Sequence, residues 1–330
     1  MNFDWSFLSA VMVIAWLVTS TPVGLGPIAL AAGAVFSGSM EVSILLLILL
    51  TMASYLISSR QGKRSNAVLS QMNFSLRCFF LFVSLFGVAL QGSPLSSLLI
   101  FIGLVLSLPT VLWSLIFERQ EHGVTQRTYL YSSLLPALAT LNVLMRIKPE
   151  MRVEWTQTWD LVLTILGLST FLAGSWLSLM KRKSRSKWIH LTQAWLGLSM
   201  FVLMVDSESL VRLAIASLSV VMMTSPILIS LGQQLGRKTE VFSRVFLAGM
   251  PGFLVCSGLF YSLKSIVALN VNWIWVLIVA FTLQAFALNV GHEFREREPN
   301  SSVRFRYYIV VATQLFCAVA FFWLERVGHL

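Results

Sequence analysis

The chain has 330 residues, 57% of them hydrophobic and 12% charged, about half the charged share of an ordinary soluble domain, so a water-solvated surface could hardly be assembled from it. The formal charge of +10 is carried by short connectors such as Ser59–Asn66 and Lys181–Lys187. Orientation signals of membrane proteins sit in such places, and nucleic-acid binding is not read from them.

In chain order, apolar runs occupy residues 7–22, 24–37, 42–58, 74–91, 96–117, 129–147, 159–180, 187–205, 210–231, 243–269, 271–290 and 305–324. Helices of about 20 residues cross a hydrocarbon layer of ~30 Å, and strand-like alternation is absent, so a β-barrel is disfavoured. The expected fold is all-α: one membrane domain over residues 1–330, a polytopic transmembrane helix bundle of about 11 to 12 helices. The opening stretch MNFDWSFLSAVMVIAWLV has neither a basic n-region nor an Arg-rich presequence. Either a targeting segment was removed or the protein is inserted where it is made. Thr21–Gly24 joins the first two runs as a hairpin or as one broken helix.

Basic residues cluster after alternate runs, at Arg60, Lys63 and Arg64, at Lys181–Lys187, and at Arg237, Lys238 and Arg244, which places those connectors on one side of the membrane. The longest polar connectors, near 118–128 and 291–304, are too small to fold alone, so any large catalytic unit belongs to another protein. The eleven tryptophans, Trp155, Trp159, Trp273 and Trp275 among them, fall mostly at run ends as an interfacial belt. Cys78, Cys256 and Cys317 lie in apolar runs without CxxC or Cys/His spacing. They read as small packing residues rather than disulfides or metal ligands. No nucleotide-binding, dinucleotide-binding, zinc-hydrolase or serine-hydrolase motif is present, so covalent chemistry by this chain has nothing in its favour.

Ionisable side chains inside the apolar runs are Glu41, Arg77, Arg146, Asp160, His190 and Lys264. Each is a functional candidate, because placing one in lipid costs at least ~2.5 kcal/mol unless it is paired or hydrated. Glu41 is either a first-turn acid favoured by the helix dipole or a proton-relay carboxylate. His190 is either an interfacial side chain bonded to a neighbour or a titrating relay. Lys264 follows Gly249–Gly252, Ser257 and Gly258, where proline and glycine break a helix. Discontinuous helices hold ion sites in transport proteins, although a lysine near a helix end also snorkels to the interface. Arg77, Arg146 and Asp160 lie near run ends and read as interfacial anchors.

Leu163–Gly197 runs LTILGLSTFLAGSWLSLMKRKSRSKWIHLTQAWLG, and Leu247–Lys264 runs LAGMPGFLVCSGLFYSLK. In order, these resemble the AGSW-like stretch, basic connector, AYSS-type helix and broken GLPPxxGFxxK helix of the antiporter-type subunits of proton-pumping NADH:quinone oxidoreductase, and most closely the short mitochondrial subunit 2. SGSMEVSILLLILL resembles the family's GLEMN segment and places Glu41 on its membrane glutamate, while LVLSLP (Leu104–Pro109) resembles its KLGMAP helix. The resemblance implies an antiporter-like membrane-arm subunit of respiratory complex I in the mitochondrial inner membrane, or in a bacterial inner membrane. It implies other hydrophobic complex I subunits and lipids as partners. It also implies that FMN, iron-sulfur clusters and ubiquinone belong to partner subunits, with no cofactor or metal in this chain. Glu41 and Lys264 would be the surviving proton-relay residues and His190 a local substitute. The family's further lysines and histidine fall on Leu104, Ala137 and Trp195, which implies a partly lost proton path. Two alternatives remain: a structural spacer subunit without proton transfer, or a standalone cation/proton carrier, whose inverted repeat would match the break at Gly249–Gly252 with one at Leu108 and Pro109.

Overall fold

The structure, a computed structural model, describes residues 25–61, 67–91, 93–110, 133–148, 153–180, 184–204, 208–247, 254–267 and 301–327. Among the described residues there is no strand. The helices are α1 (Leu25–Phe36), α2 (Met40–Gln61), α3 (Ala67–Ala89), α4 (Pro94–Ser107), α5 (Leu135–Ile147), α6 (Val153–Met180), α7 (Ser184–Val202), α8 (Glu208–Leu235), α9 (Arg237–Leu247), α10 (Leu254–Val267) and α11 (Ser301–Val327). Stretches of α2, α3, α6, α8 and α11 are long and apolar enough to cross a membrane. An all-α answer follows from the composition, because backbone groups in hydrocarbon find partners only within their own helix.

Three elements differ from the sequence expectation. The run at 96–117 contains a helix end: Leu108 turns extended, Pro109 follows, and the Thr110 N–H donates to Leu108 O at 2.8 Å. Proline has no N–H and disfavours helical geometry in the residue before it. The helix α3 starts seven residues before the apolar run at 74–91, since 74 − 67 = 7. The stretch read as a basic connector between 231 and 243 is instead the end of α8, a turn at Gly236 with φ +107°, and the start of α9. A left-handed C′ residue is where glycine avoids a Cβ clash. The expected break at Gly249–Gly252 and the runs at 7–22 and 271–290 lie outside the described residues.

The chain groups into two compact units, one within Ser20–Val162 and one from Leu163 onward. In the first, α3 and α4 are joined by hydroxyl-to-carbonyl bonds, Ser84 to Ile100 O at 3.0 Å and Ser96 to Gly87 O at 2.7 Å. The Phe101 and Trp159 rings lie 3.9 Å apart between centroids. In the second unit, α8 is enclosed by α7, α9, α10 and α11. There α6 and α7 approach so closely that a Cβ on Gly174 would lie 2.7 Å from both the His190 carbonyl oxygen and the Ala194 nitrogen.

The distribution of side chains identifies the solvent. On α3, Phe79 and Phe86 are 61% and 60% exposed with Phe82 between them on the same stripe, while Arg77 is 5% exposed. In water each Å² of apolar surface so exposed forgoes about 25 cal/mol; against acyl chains it forgoes nothing. This is a multi-pass membrane protein, and on α3 the charged side chain faces inward while the aromatic stripe faces out.

Replacing Gly174 by Val should destabilise the α6–α7 pair by about 1 to 3 kcal/mol, the usual effect of overpacking, seen as a lowered melting temperature in mild detergent. An unchanged melting temperature would contradict the close approach.

Candidate functional site

In the first unit, Glu41 lies in the first turn of α2 and is exposed. The preceding turn is built by serines. Ser37 donates to Ser39 O at 3.0 Å, and the Ser43 hydroxyl reaches back to Ser39 O at 3.0 Å. That geometry puts the Glu41 carboxylate at the positive end of α2, where an anion is favoured.

Onto the same turn comes Arg146, from the last turn of α5. Its guanidinium donates to Val35 O at 3.4 Å, to Ser37 O, and to Ser43 Oγ at 2.8 Å. The carbonyls at the end of a helix have no partner within it, and a cation there also meets the negative end of the dipole. Arg146, expected as an interfacial anchor, is thus the clasp that holds the α1–α2 connector and fixes where Glu41 stands. Arg77 also departs from the anchor reading: it lies ten residues into α3 (77 − 67), buried, with its guanidinium donating to Ser133 Oγ at 3.2 Å. Asp160 pairs with Lys148 at 3.2 Å, both half-buried.

In the second unit, His190 is fully buried on α7, its Nδ1 3.1 Å from Gln193 Oε1. Lys264 is exposed in the last turn of α10, a position that suits a cation. Glu41 belongs to one unit and His190 and Lys264 to the other, so each stands within its own setting. Leu104, Ala137 and Trp195 are all buried, and no proton can rest on them.

Sequence reasoning missed one polar cluster. Glu240 and Arg244 form a buried ion pair one turn apart on α9, and Gln233 of α8 donates to Glu240 Oε1 at 3.3 Å. Beside them, Ser243 Oγ lies 3.1 Å from the Tyr307 hydroxyl of α11. The available signal was a Glu and an Arg four residues apart, a pairing that only a helix brings together.

No protein-family model matches the chain, and no curated protein matches it by sequence. Its fold, however, is shared with solved membrane complexes. A chain of respiratory complex I from Thermus thermophilus with bound NADH superposes with a TM-score of 0.75 at 12% identity, covering 96% of this chain and 79% of that one. A chain of the archaeal membrane-bound sulfane sulfur reductase gives 0.74 at 13% identity, over 95% and 79%. A chain of the Mrp complex from Dietzia sp. gives 0.67 at 13% identity, over 98% and 79%. The all-α fold is thus one shared with chains of these three membrane complexes.

Replacing Arg146 by Ala should cost about 1.5 to 3 kcal/mol, the range for hydrogen bonds to a charged group, read as a fall in melting temperature. Lysine keeps the charge but not the fork and should recover only part of the loss. Equal stability of all three would contradict the clasp.

Proposed function

We propose that the chain is an antiporter-like membrane-arm subunit of a proton-translocating NADH:quinone oxidoreductase, of the kind that mitochondrial subunit 2 represents. The observation that carries this reading is the fold likeness to a chain of respiratory complex I over 96% of the length. The order of sequence features from Leu163 to Lys264 agrees with it. Redox chemistry then belongs to partner subunits that carry the FMN, the iron-sulfur clusters and the ubiquinone site. This chain contributes titratable side chains. Glu41 on its Arg146-held turn, His190 and Lys264 are the groups we assign to proton transfer. A carboxylate whose surroundings shift moves its pKa by one unit for each ~1.4 kcal/mol of differential interaction, so a small rearrangement can load or release a proton.

A second reading has its own observation. Leu104, Ala137 and Trp195 are buried and apolar where the resemblance expects ionisable groups, which favours a spacer between neighbouring membrane subunits. One pair of experiments separates the readings. Native electrophoresis of the source membrane, with an NADH dehydrogenase stain and mass spectrometry, should find this chain stoichiometrically in the NADH-active band. Recovery in a small, inactive band would overturn the assignment in favour of a standalone carrier. In the assembled complex, Glu41→Gln should then lower the protons moved per NADH oxidised by a measurable fraction without loss of assembly; an unchanged ratio supports the spacer.

A further inference from the structure

The helix α9 is built inside out. Beyond its first turn the outward residues are Val241, Phe242 and Val245, with Phe242 44% exposed, whereas Glu240, Ser243 and Arg244 are buried. At eleven residues it is about 16 Å long, roughly half of a ~30 Å hydrocarbon layer. Lys238, in the first turn, is exposed. The outward face thus carries a cation at the start of the helix and apolar side chains after it.

Contacts between helices fix the level at which that cation lies. A Cβ on Gly232 of α8 would meet Ser243 Oγ at 2.5 Å and Thr239 O at 3.3 Å, so α9 folds back along α8 across the turn at Gly236. Ser243 Oγ lies 3.1 Å from the Tyr307 hydroxyl of α11, and the Gln314 amide of α11 donates to Thr224 Oγ1 of α8 at 2.7 Å. Advancing along α8 from Thr224 to Gly232 therefore corresponds to going back along α11 from Gln314 to Tyr307, and the two helices are antiparallel. The end of α8 and the starts of α9 and α11 share one end of the unit. The stretches apolar enough to cross a membrane stop there too, at Leu235 on α8 and at Val303 on α11, which sets the membrane surface at that level.

Three cations gather at this surface. Lys238 stands about 7.5 Å before Ser243 along its helix, and Arg304 and Arg306 stand about 4.5 Å and 1.5 Å before Tyr307 along theirs. Arg304 is exposed and Arg306 half-buried. Among the described residues none of the three has an ion-pair partner, and the acid of this end, Glu240, is buried and turned to Arg244. Orientation in the membrane asks only that cations stay on one side. It does not ask that the acid at the same level be neutralised from within. Deeper in the layer, Phe242 and Val245 on α9 and Tyr308 and Phe316 on α11 are exposed.

We propose that this end of α9 and α11 is a binding site for an anionic phospholipid. Lys238, Arg304 and Arg306 take the headgroup phosphate, for which a guanidinium fork is well shaped. The acyl chains run along Phe242 and Val245 on one helix and Tyr308 and Phe316 on the other. Basic clusters at helix ends recognise anionic headgroups in this way, and burying Glu240 against Arg244 keeps its repulsion away from the phosphate. The site goes beyond the subunit reading above and does not depend on it.

The test compares spin-labelled phosphatidylglycerol with spin-labelled phosphatidylcholine, each at trace level in phosphatidylcholine bilayers that hold the full-length chain. Electron paramagnetic resonance reads the fraction of each lipid slowed by the protein. Phosphatidylglycerol should be preferred by at least about fivefold, the preference that one cation near a membrane surface contributes. R304Q should lose part of the preference, and K238Q/R304Q/R306Q should bring the two lipids close to equality. R60Q/K63Q/R64Q, which removes as much charge from another connector, should keep it. Equal association of the two lipids with the wild type, a preference that survives in K238Q/R304Q/R306Q, or the same loss in R60Q/K63Q/R64Q would overturn the site. Inorganic phosphate separates the two sources of the headgroup chemistry: if it raises the melting temperature in detergent as much as phosphatidylglycerol does, the cations hold a soluble anion and the lipid proposal fails. The electrophoresis described above reads the subunit assignment separately, so either result there leaves the lipid preference to stand or fall by itself.

Discussion

Every polar group that this chain carries into lipid has to be satisfied by the chain itself, and the rest of the structure depends on that requirement. The hydroxyls meet it locally. Thr51 donates to Leu47 O at 2.8 Å, Ser175 to Phe171 O at 2.7 Å and Ser199 to Trp195 O at 2.9 Å, each one turn back on its own helix. The charges cannot meet it so cheaply and are drawn into specific arrangements. Arg146 takes the carbonyls at the end of α1, Lys148 takes Asp160, and Arg244 takes Glu240. Those arrangements locate the functional candidates. Glu41 stands where it does because Arg146 holds the turn before it, and α9 turns its polar face inward because its charges have a partner there.

The same requirement explains what the interior lacks. A lysine or histidine at Leu104, Ala137 or Trp195 would need water or a counter-charge, and all three positions are buried. Dry packing contributes dispersion contacts and stiffness, while it forfeits places for a proton to rest. Among the described residues, well-packed helix pairs, of which α6 and α7 around Gly174 are one, stand beside a few polar sites.

Much of the fold was legible in the sequence because lipid makes the signal simple: long apolar runs separated by charge. The helices α1, α2, α6, α7, α8 and α11 fall on expected runs, with ends shifted by a few residues. Where the reading failed, a residue had two physical meanings. Arg77 looked terminal because the apolar run begins at 74, but polar residues such as Gln71 and Asn73 extend α3 toward its start and leave Arg77 well inside. Arg237, Lys238 and Arg244 looked like one orientation signal, yet only Lys238 is exposed among those whose side chains are described, and Arg244 points to Glu240. Pro109 interrupts a run whose hydropathy continues past it, so the run's length overstated the helix, while the break read at Leu108 and Pro109 falls on its end. Of the site, Glu41 as a first-turn acid and Lys264 near a helix end were readable from spacing. The Glu240 cluster was missed although Glu240 and Arg244 stand four residues apart, because its other members come from α8 across the turn at Gly236 and from α11, distant in sequence.

The account stands on the claim that the apolar faces of α3 and α9 look into lipid while Arg77, Glu240 and Arg244 look into the protein, and one measurement tests it most directly. Single cysteines at Phe82 of α3 and Phe242 of α9, in full-length chain with Cys78, Cys256 and Cys317 replaced by alanine, would carry nitroxide labels in lipid nanodiscs. Power saturation would then compare collisions with oxygen, which concentrates in hydrocarbon, and with a water-soluble nickel chelate. At both positions oxygen contact should exceed nickel contact. Nickel contact dominating at Phe242 would place α9 in water and contradict the inward reading of Glu240 and Arg244; the same result at Phe82 would remove the bilayer from the account altogether.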